Sequence, residues 1–235
     1  MEKKQAFKQG LQGGIPIALG YLSVSFTFGM MASSQGIPVS AAVVISLTNL
    51  TSAGQFAALP LMVQSASLLE MGLTQFMINL RYALMSLSLS QKVESNMSRR
   101  ERMLISFGIT DEIFALAAAQ ENHISTAYFS ALMILPIAGW TLGTWLGAVM
   151  GASLPVDIRS AMGIAIYAMF LAILLPPARK QRSIRRVIIA AGGLSCVLAL
   201  VHKWVPISSG FAIIFCTLAA AGYGAWRYPL KEKSS

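Results

Sequence analysis

The apolar residues of this chain occur in continuous runs, several of which approach the roughly 20 residues that a helix needs to cross a bilayer. Continuous runs argue against a transmembrane β-barrel, whose strands are short and alternate in polarity. The sequence therefore predicts an all-α polytopic membrane protein, whose backbone polar groups are paired within its helices. About eight apolar segments are expected: Gly14–Ala32, Val39–Val63, Leu68–Leu89, Met103–Ala119, Ser125–Met150, Ile158–Leu175, Val187–Val201 and Ile207–Ala225.

The charged residues indicate the same class of protein. They make up 11% of the chain, against about 25% in a soluble domain. The net charge is +9, but the basic residues lie in short loops, where they orient a membrane protein rather than bind nucleic acid. No linker or shift in composition divides the sequence. We therefore expect a single transmembrane domain over residues 1–235, surrounded by the lipid bilayer.

Polar residues interrupt segments two and four. The second segment contains the run Thr48–Gln55, and the fourth carries Thr110, Asp111 and Glu112 at its middle. A backbone that breaks at membrane depth must be buried in protein or line a cavity, and transporters place their substrate sites at such breaks. Both segments are therefore predicted to be broken or re-entrant helices.

The basic loop from Lys92 to Arg102 bears on the topology. With the lysine-rich N-terminus in the cytoplasm, this loop is also cytoplasmic if segments two and four are re-entrant hairpins, which the positive-inside rule favours. Crossing by all eight segments remains the alternative, and both schemes place the C-terminus in the cytoplasm. A weak repeat, in which Phe56-Ala57 recurs as Phe114-Ala115, fits two inverted units of one span and one hairpin each, although chance similarity also explains it.

Three charged residues inside the segments are candidates for a binding site: Arg81, Asp111 and Glu112. A charge at the bilayer centre costs roughly 2.5–3.5 kcal/mol, so such residues should pair or face a polar cavity. The planar fork of Arg81 suits a substrate carboxylate, and either acid could hold an amino group or carry a coupling proton. The alternative is a structural ion pair between Arg81 and Asp111. Two adjacent acids exceed what one arginine needs, which favours the functional interpretation.

The interruption of segment two offers a second candidate. Small residues around Gly54 and Gln55 suit an unwound turn whose backbone groups face a zwitterion, and a polar kink packed between helices is the alternative. At the start of segment three, Glu70 is expected to be a solvated helix end, with a gating role as the alternative.

Segment five carries a glycine at every fourth position, which predicts close approach of another helix from this chain or another subunit. These glycines are Gly139, Gly143, Gly147 and Gly151. Trp140 and Trp145 are expected to anchor the segment at membrane interfaces. No cofactor or metal site is expected, because the sequence shows neither metal-ligand spacing nor a P-loop. No catalytic residue is assigned either, so an enzyme is not expected.

The motifs, taken in order, resemble the AzlC type of branched-chain amino acid permeases. The resemblance covers roughly Gly10 to Pro155 and depends on Gly14-Ile15-Pro16, Phe28-Gly29, Ala53-Gly54-Gln55-Phe56-Ala57, Asn79-Leu80-Arg81 and Thr110-Asp111-Glu112-Ile113-Phe114-Ala115. The chain departs from the family at Tyr82, where many members have histidine, and at Leu50-Thr51-Ser52, where aromatic and small residues are expected. Both departures lie beside the candidate site and concern the choice of substrate.

The resemblance implies a permease of the bacterial inner membrane that exports neutral branched-chain amino acids and works with a small hydrophobic subunit of the AzlD type. A zwitterion needs an anion partner, a cation partner and an apolar slot. The candidate substrate-binding residues are Ser52, Gly54, Gln55, Phe56, Asn79, Arg81, Thr110, Asp111, Glu112 and Phe114. The leading hypothesis is a secondary transporter, with proton coupling as one option. The alternatives are a passive channel for small polar solutes and a non-catalytic membrane subunit of a larger complex.

Overall fold

The structure is a computed structural model. It describes residues 3–120, 123–155, 157, 171, 174–175, 178–202 and 207–228. Most of the predicted segment from Ile158 to Leu175 lies outside the described residues. Within the described part, the only extended pairing is one isolated bridge between Val93 and Ile124. The predicted all-helical class is therefore confirmed for these residues.

The helices of the described residues follow the order of the apolar segments. They are α1 (Lys3–Ser34), α2 (Val39–Thr48), α3 (Ser52–Val63), α4 (Leu68–Ser90), α5 (Arg99–Ser106), α6 (Asp111–Ala118), α7 (Thr126–Met150), α8 (Arg182–Val201) and α9 (Ser209–Arg227). A single 3-10 turn, Gly151–Ser153, follows α7. Among them α1, α7 and α8 are long and apolar enough to cross a membrane. The number of crossings, the hairpins, the inverted repeat and the single domain stay predictions.

The polar interruption of segment two is a break between two helices. Asn49 ends α2 in an extended conformation (φ −141°, ψ 96°), and α3 begins at Ser52. Both helices are apolar but short. The backbone between them leaves helical geometry where the sequence changes from apolar to polar.

Segment four is likewise two short helices. The first, α5, begins earlier than the apolar run, because Ser98 and Glu101 form a reciprocal capping box. Hydrogen bonds from Ser98 to the Glu101 carboxylate lower the pKa of that exposed carboxyl. The second helix, α6, begins after Thr110, an extended residue (φ −124°, ψ 171°) whose hydroxyl accepts a hydrogen bond from the Ile113 amide.

The described residues belong to two compact units. The first unit comprises residues 1–56 and 78–163, and the second comprises 57–77 and 164–235. Each unit is described separately below.

The first unit is organised around α1 and α7, whose backbones lie close together along much of their length. A Cβ atom added at Gly139, Gly143 or Gly147 would collide with the backbone of α1, and one added at Gly10 or Gly29 would collide with the backbone of α7. The predicted role of the glycine ladder is confirmed, and its partner is α1 of the same chain.

The core of the first unit surrounds this helix pair. From α6, Ile113 and Ala117 are fully buried, one helical turn apart, and they pack with Leu132 and Phe129 of α7. Burying this face of α6 leaves Asp111 and Glu112, at the start of the helix, half-buried. The packing therefore fixes the direction in which the two acidic side chains leave the helix.

In the second unit, α8 and α9 pack against each other. The expectation that Glu70 is a solvated helix end is wrong: its side chain is 6% exposed and accepts a hydrogen bond from Ser208. Ser208 is the N-cap of α9. Since this contact comes from a residue 138 positions away, the local hydropathy around Glu70 does not reveal it.

Replacing a glycine at which α1 and α7 touch tests the contact between these two helices. In Gly143→Ala, the new methyl group meets the Leu22 carbonyl oxygen, so the helices must separate. Overpacking of this kind costs about 1–3 kcal/mol. We expect a lower melting temperature in detergent, measured by fluorescence-detected unfolding.

The matched control is Gly72→Ala on α4, where an added Cβ has no neighbour within 4 Å. Alanine is the better helix former, by about 1 kcal/mol, so this variant should be at least as stable as the wild type. Equal stability of the two variants would contradict the assigned contact.

Candidate functional site

An ion pair joins α4 to the start of α6 in the first unit. Arg81 Nη1 lies 2.8 Å from Asp111 Oδ2, and the two side chains are 39% and 32% exposed. The structural ion pair considered from the sequence is therefore present. Because both partners remain partly open, the pair is accessible to a solute in a way that a sealed core pair is not.

The guanidinium of Arg81 has hydrogen-bonding capacity left over. Its buried Nε has no hydrogen-bond partner among the described residues, and Nη2 donates only to the Tyr82 hydroxyl, at 3.5 Å. The Tyr82 ring also lies 5.1 Å from the guanidinium carbon. The edge formed by Nε and Nη2 therefore has one donor unused and one weakly used, and such an edge can bind a carboxylate through two parallel bonds.

Glu112 has a different partner from Asp111. The Tyr21 hydroxyl lies 2.7 Å from Thr110 Oγ1 and is also hydrogen-bonded to Glu112 Oε2. The Tyr21 hydroxyl has a single proton to donate. Because a carboxylate is a stronger acceptor than a hydroxyl, Tyr21 donates this proton to Glu112. Since neighbouring helical residues point about 100° apart, the two acids separate, Asp111 towards Arg81 and Glu112 towards Tyr21.

The break between α2 and α3 is held by the fully buried side chain of Gln55. Its Nε2 donates to the carbonyl oxygens of Asn49 and Ile45, at the end of α2. Its Oε1 accepts hydrogen bonds from Trp140 Nε1 at 3.2 Å and Ser46 Oγ at 3.3 Å. One amide thus supplies donors and acceptors where helical pairing has stopped.

Thr51 links the break to α4. Its hydroxyl donates to Asn79 Oδ1 at 2.7 Å and accepts from the Gly54 amide at 3.2 Å. Gly54 is buried and Ser52 half-buried. The Phe56 ring makes an edge-to-face contact with Phe28, with centroids 5.5 Å apart.

The predicted residues form two polar groups with distinct surroundings. One group is Arg81, Thr110, Asp111 and Glu112, and the other is Ser52, Gly54, Gln55 and Asn79 at the break. Tyr21 and Trp140, whose rings meet edge to face at 5.3 Å, connect them, because Tyr21 bonds Glu112 and Trp140 bonds Gln55. Phe114 is partly buried against the core of the first unit.

Sequence reasoning missed both connecting residues. Trp140 was expected at a membrane interface, and that is wrong, since its side chain is 2% exposed and its N–H is used inside the unit. Tyr21 lies in an apolar run with no charged neighbour. The position of Tyr21 along α1 becomes informative only once α1 is known to pack against the glycines of segment five.

Within the described residues, no three His, Cys, Asp or Glu side chains come close enough to hold a metal ion. A separate cavity of about 190 Å³ in the first unit is lined mainly by apolar side chains, including Leu89, Ile105 and Phe129. None of the predicted site residues lines this cavity.

The family model of the AzlC protein matches residues 16–154, more than half of the chain and all of the candidate site. Among its relatives, an uncharacterized membrane protein of Archaeoglobus fulgidus is 31% identical over 229 residues, 96% of this chain and 97% of the relative. The inner membrane protein YgaZ of Escherichia coli is 26% identical over 185 residues, 76% of each chain. An uncharacterized membrane protein of Helicobacter pylori is 28% identical over 174 residues, 73% of this chain and 75% of the relative. No solved structure matches.

Replacing the amide at the break tests its structural role. Gln55→Leu leaves the Trp140 N–H and the Asn49 carbonyl without their partner, and each such buried group costs about 1–3 kcal/mol. We expect the melting temperature to fall by roughly 5 °C or more. Gln12→Leu, at an exposed position of α1, is the control. A Gln55→Leu protein as stable as this control would show that the network does not hold the break.

Proposed function

The chain belongs to the AzlC family of membrane proteins, and we propose that it is a secondary transporter that exports neutral, branched-chain amino acids across the bacterial inner membrane. One observation carries the proposal above all: a half-exposed ion pair between Arg81 and Asp111 stands where a helix breaks inside an apolar segment. An inner-membrane location is supported by YgaZ, whose name states it. Cytoplasmic termini are part of the proposal and are supported by the positive-inside rule.

The first step of the proposal is recognition of the substrate carboxylate by Arg81. Asp111 occupies Nη1, while the edge with Nε and Nη2 has a donor to spare. Nε is buried in this conformation, so the carboxylate meets this edge when the Arg81 side chain turns outwards, and it then makes two charge-assisted hydrogen bonds in one plane. Lysine has no such edge, so the proposal requires arginine at this position.

The second step is recognition of the substrate ammonium group by Asp111. An ion pair that opens to admit a zwitterion exchanges one set of partners for another, because the substrate carries both charges. No charge is then left unpaired in the protein interior, where an uncompensated ion costs several kcal/mol. A substrate with a single charge lacks this compensation, which favours neutral amino acids over acidic or basic ones.

The third step is apolar recognition of the side chain by Phe56 and Phe114, the aromatic residues that follow the two helix breaks. Both are partly buried, so each keeps ring surface for contact. Burying a branched aliphatic side chain contributes about 1.5–3 kcal/mol, which separates valine or leucine from glycine. The residues around Ser52, Gly54 and Asn79 would contribute polar groups at the first break.

Proton coupling is assigned to Glu112. Its carboxylate is bonded to the Tyr21 hydroxyl and lies one residue from Asp111. Two acids on one helix turn repel each other when both are ionised, so a proton on Glu112 removes one of the two negative charges at the start of α6 and the repulsion that it exerts on Asp111. A small hydrophobic AzlD-type subunit is proposed as the partner, and transport is expected to need it.

Transport assays on matched variants test this proposal. We expect Arg81→Lys, which keeps the charge but loses the fork, to lower kcat/KM for valine and leucine at least tenfold. A tenfold loss equals about 1.4 kcal/mol, close to the lower end of the roughly 1.5–3 kcal/mol that a hydrogen bond to a charged group contributes. Asp111→Asn should be impaired similarly. Arg100→Lys, at an exposed position of α5, is the control.

The measurement is saturable uptake of radiolabelled valine, leucine, methionine and alanine into inside-out vesicles, with and without a proton gradient and with and without the small subunit. Glu112→Gln should keep counterflow but lose the response to the gradient. Unchanged kinetics in both Arg81→Lys and Asp111→Asn would refute the site. Wild-type flux that neither saturates nor shows counterflow would indicate a passive channel.

A further inference from the structure

The second unit contains a buried carboxylate that the amino-acid site does not use. Glu70 lies in the first turn of α4 with 6% of its surface exposed, and Ser208 donates a hydrogen bond to its Oε1. Among the described residues no ion pair involves Glu70, since the single pair found there is Arg81–Asp111. A carboxylate removed from water in this way needs compensation for its charge.

One turn along α4 lies a buried hydroxyl without a partner. Thr74 is 0% exposed, and its Oγ1 makes no hydrogen bond in the described structure. An unsatisfied buried hydroxyl is uncommon in native proteins and calls for a physical explanation. Threonine and glutamate four positions apart share one face of a helix, so the free hydroxyl and the carboxylate point the same way.

Gly210, in the first turn of α9, brings these two oxygens to a common place. The position of a Cβ at Gly210 lies 2.6 Å from Glu70 Oε1 and 2.6 Å from Thr74 Oγ1. Oxygen ligands stand about 2.3–2.6 Å from Ca²⁺, whose radius is close to that of Na⁺. Two oxygens that are both 2.6 Å from one point are at most twice that distance apart, a span that two ligands of one such cation can have. The ion would lie between the two oxygens and away from Gly210, because the Cβ position itself is only a covalent bond length from the Gly210 Cα.

We propose that Glu70, Thr74 and Ser208 form a binding site for a monovalent alkali cation, with Na⁺ as the ion bound. The donors are one carboxylate and two hydroxyls, and oxygen donors of this kind suit hard cations. A single positive charge cancels the single carboxylate, whereas a divalent ion would leave a net charge buried in an apolar segment. Thr74 would gain the partner that its hydroxyl lacks.

A neighbouring cavity supplies a hydrated approach to this site. It has a volume of about 560 Å³, lies within the second unit and has Ser208 in its wall. Its other polar lining residues are Gln64, Ser195, His202 and Thr217. These polar lining groups can hold water in a cavity of this size, although most of its wall is apolar, and an ion can reach the Ser208 hydroxyl from that water.

A purely structural role for Glu70 is the competing explanation. Ser208 caps α9, and a carboxylate at a helix N-terminus is stabilised by the helix dipole. That explanation accounts for the bond between Glu70 and Ser208 but leaves the Thr74 hydroxyl unexplained. It also predicts no dependence of stability on the kind of cation, so the two explanations are separable.

The test is the melting temperature of the purified full-length protein as NaCl replaces choline chloride at constant ionic strength. A ligand that binds only the folded state raises stability with its concentration, so we expect a rise that saturates with Na⁺. Thr74→Val, which keeps the shape and removes the hydroxyl, should raise the half-saturating Na⁺ concentration at least tenfold. Thr141→Val, which removes another buried, unpaired hydroxyl from the first unit, should leave it unchanged.

A wild-type melting temperature that is the same in Na⁺, Li⁺, K⁺ and choline would overturn the cation site. So would a Thr74→Val protein that keeps the wild-type response to Na⁺. A melting temperature that follows pH equally in all four salts would also overturn it and assign a proton to Glu70 instead. The test uses neither amino acids nor the residues around Arg81, so this inference and the proposed transport function fail independently.

Discussion

The close contact between α1 and α7 is the constraint on which the rest of the first unit depends. Glycines on both helices let the backbones meet, and any side chain at Gly143 or Gly147 would force them apart. Tyr21 and Trp140 can touch edge to face only because these helices are so near. Through Tyr21 the contact orients Glu112, and through Trp140 it orients Gln55. A packing feature without polar chemistry of its own thus sets the geometry of both polar groups.

Each of the two helix breaks needs side chains that pair its free backbone groups, because leaving such groups unpaired away from water is costly. At the first break, the Gln55 amide donates to the Asn49 carbonyl oxygen, which a continuing helix would have paired with a backbone amide. At the second, Thr110 caps α6, and the acids of its first turn are favoured by the helix dipole. Broken helices are therefore stable here because specific side chains take over from the backbone. The same side chains leave polar groups at a depth where an apolar segment otherwise offers none.

The sequence was sufficient for the class of fold and for the location of the charges, because a charge in an apolar run is rare and costly. It was not sufficient for the contacts of amphipathic aromatic residues. The sequence around Trp140 and Tyr21 is equally compatible with a site at the lipid headgroups and with a buried polar partner. Only the packing of α1 against α7 shows that both residues have buried partners. The expectation that Glu70 is solvated was wrong for a related reason, since its partner Ser208 is distant in sequence. A local sequence pattern shows which environments a segment can occupy, whereas the contacts of these three residues depend on which helix packs against the segment.

A charge that is removed from water needs compensation, and the two units provide it in different ways. Arg81 and Asp111 compensate each other, so the pair is stable without a ligand, and a zwitterion can replace it without exposing a bare charge. Among the described residues, Glu70 has the Ser208 hydroxyl and the N-terminus of α9 as partners, which stabilise an anion without cancelling it. A site that is already neutral selects a neutral ligand, and a site with one uncancelled negative charge selects a single positive one. Charge balance is therefore the reason for proposing an amino acid as the ligand of the first unit and a cation as the ligand of the second.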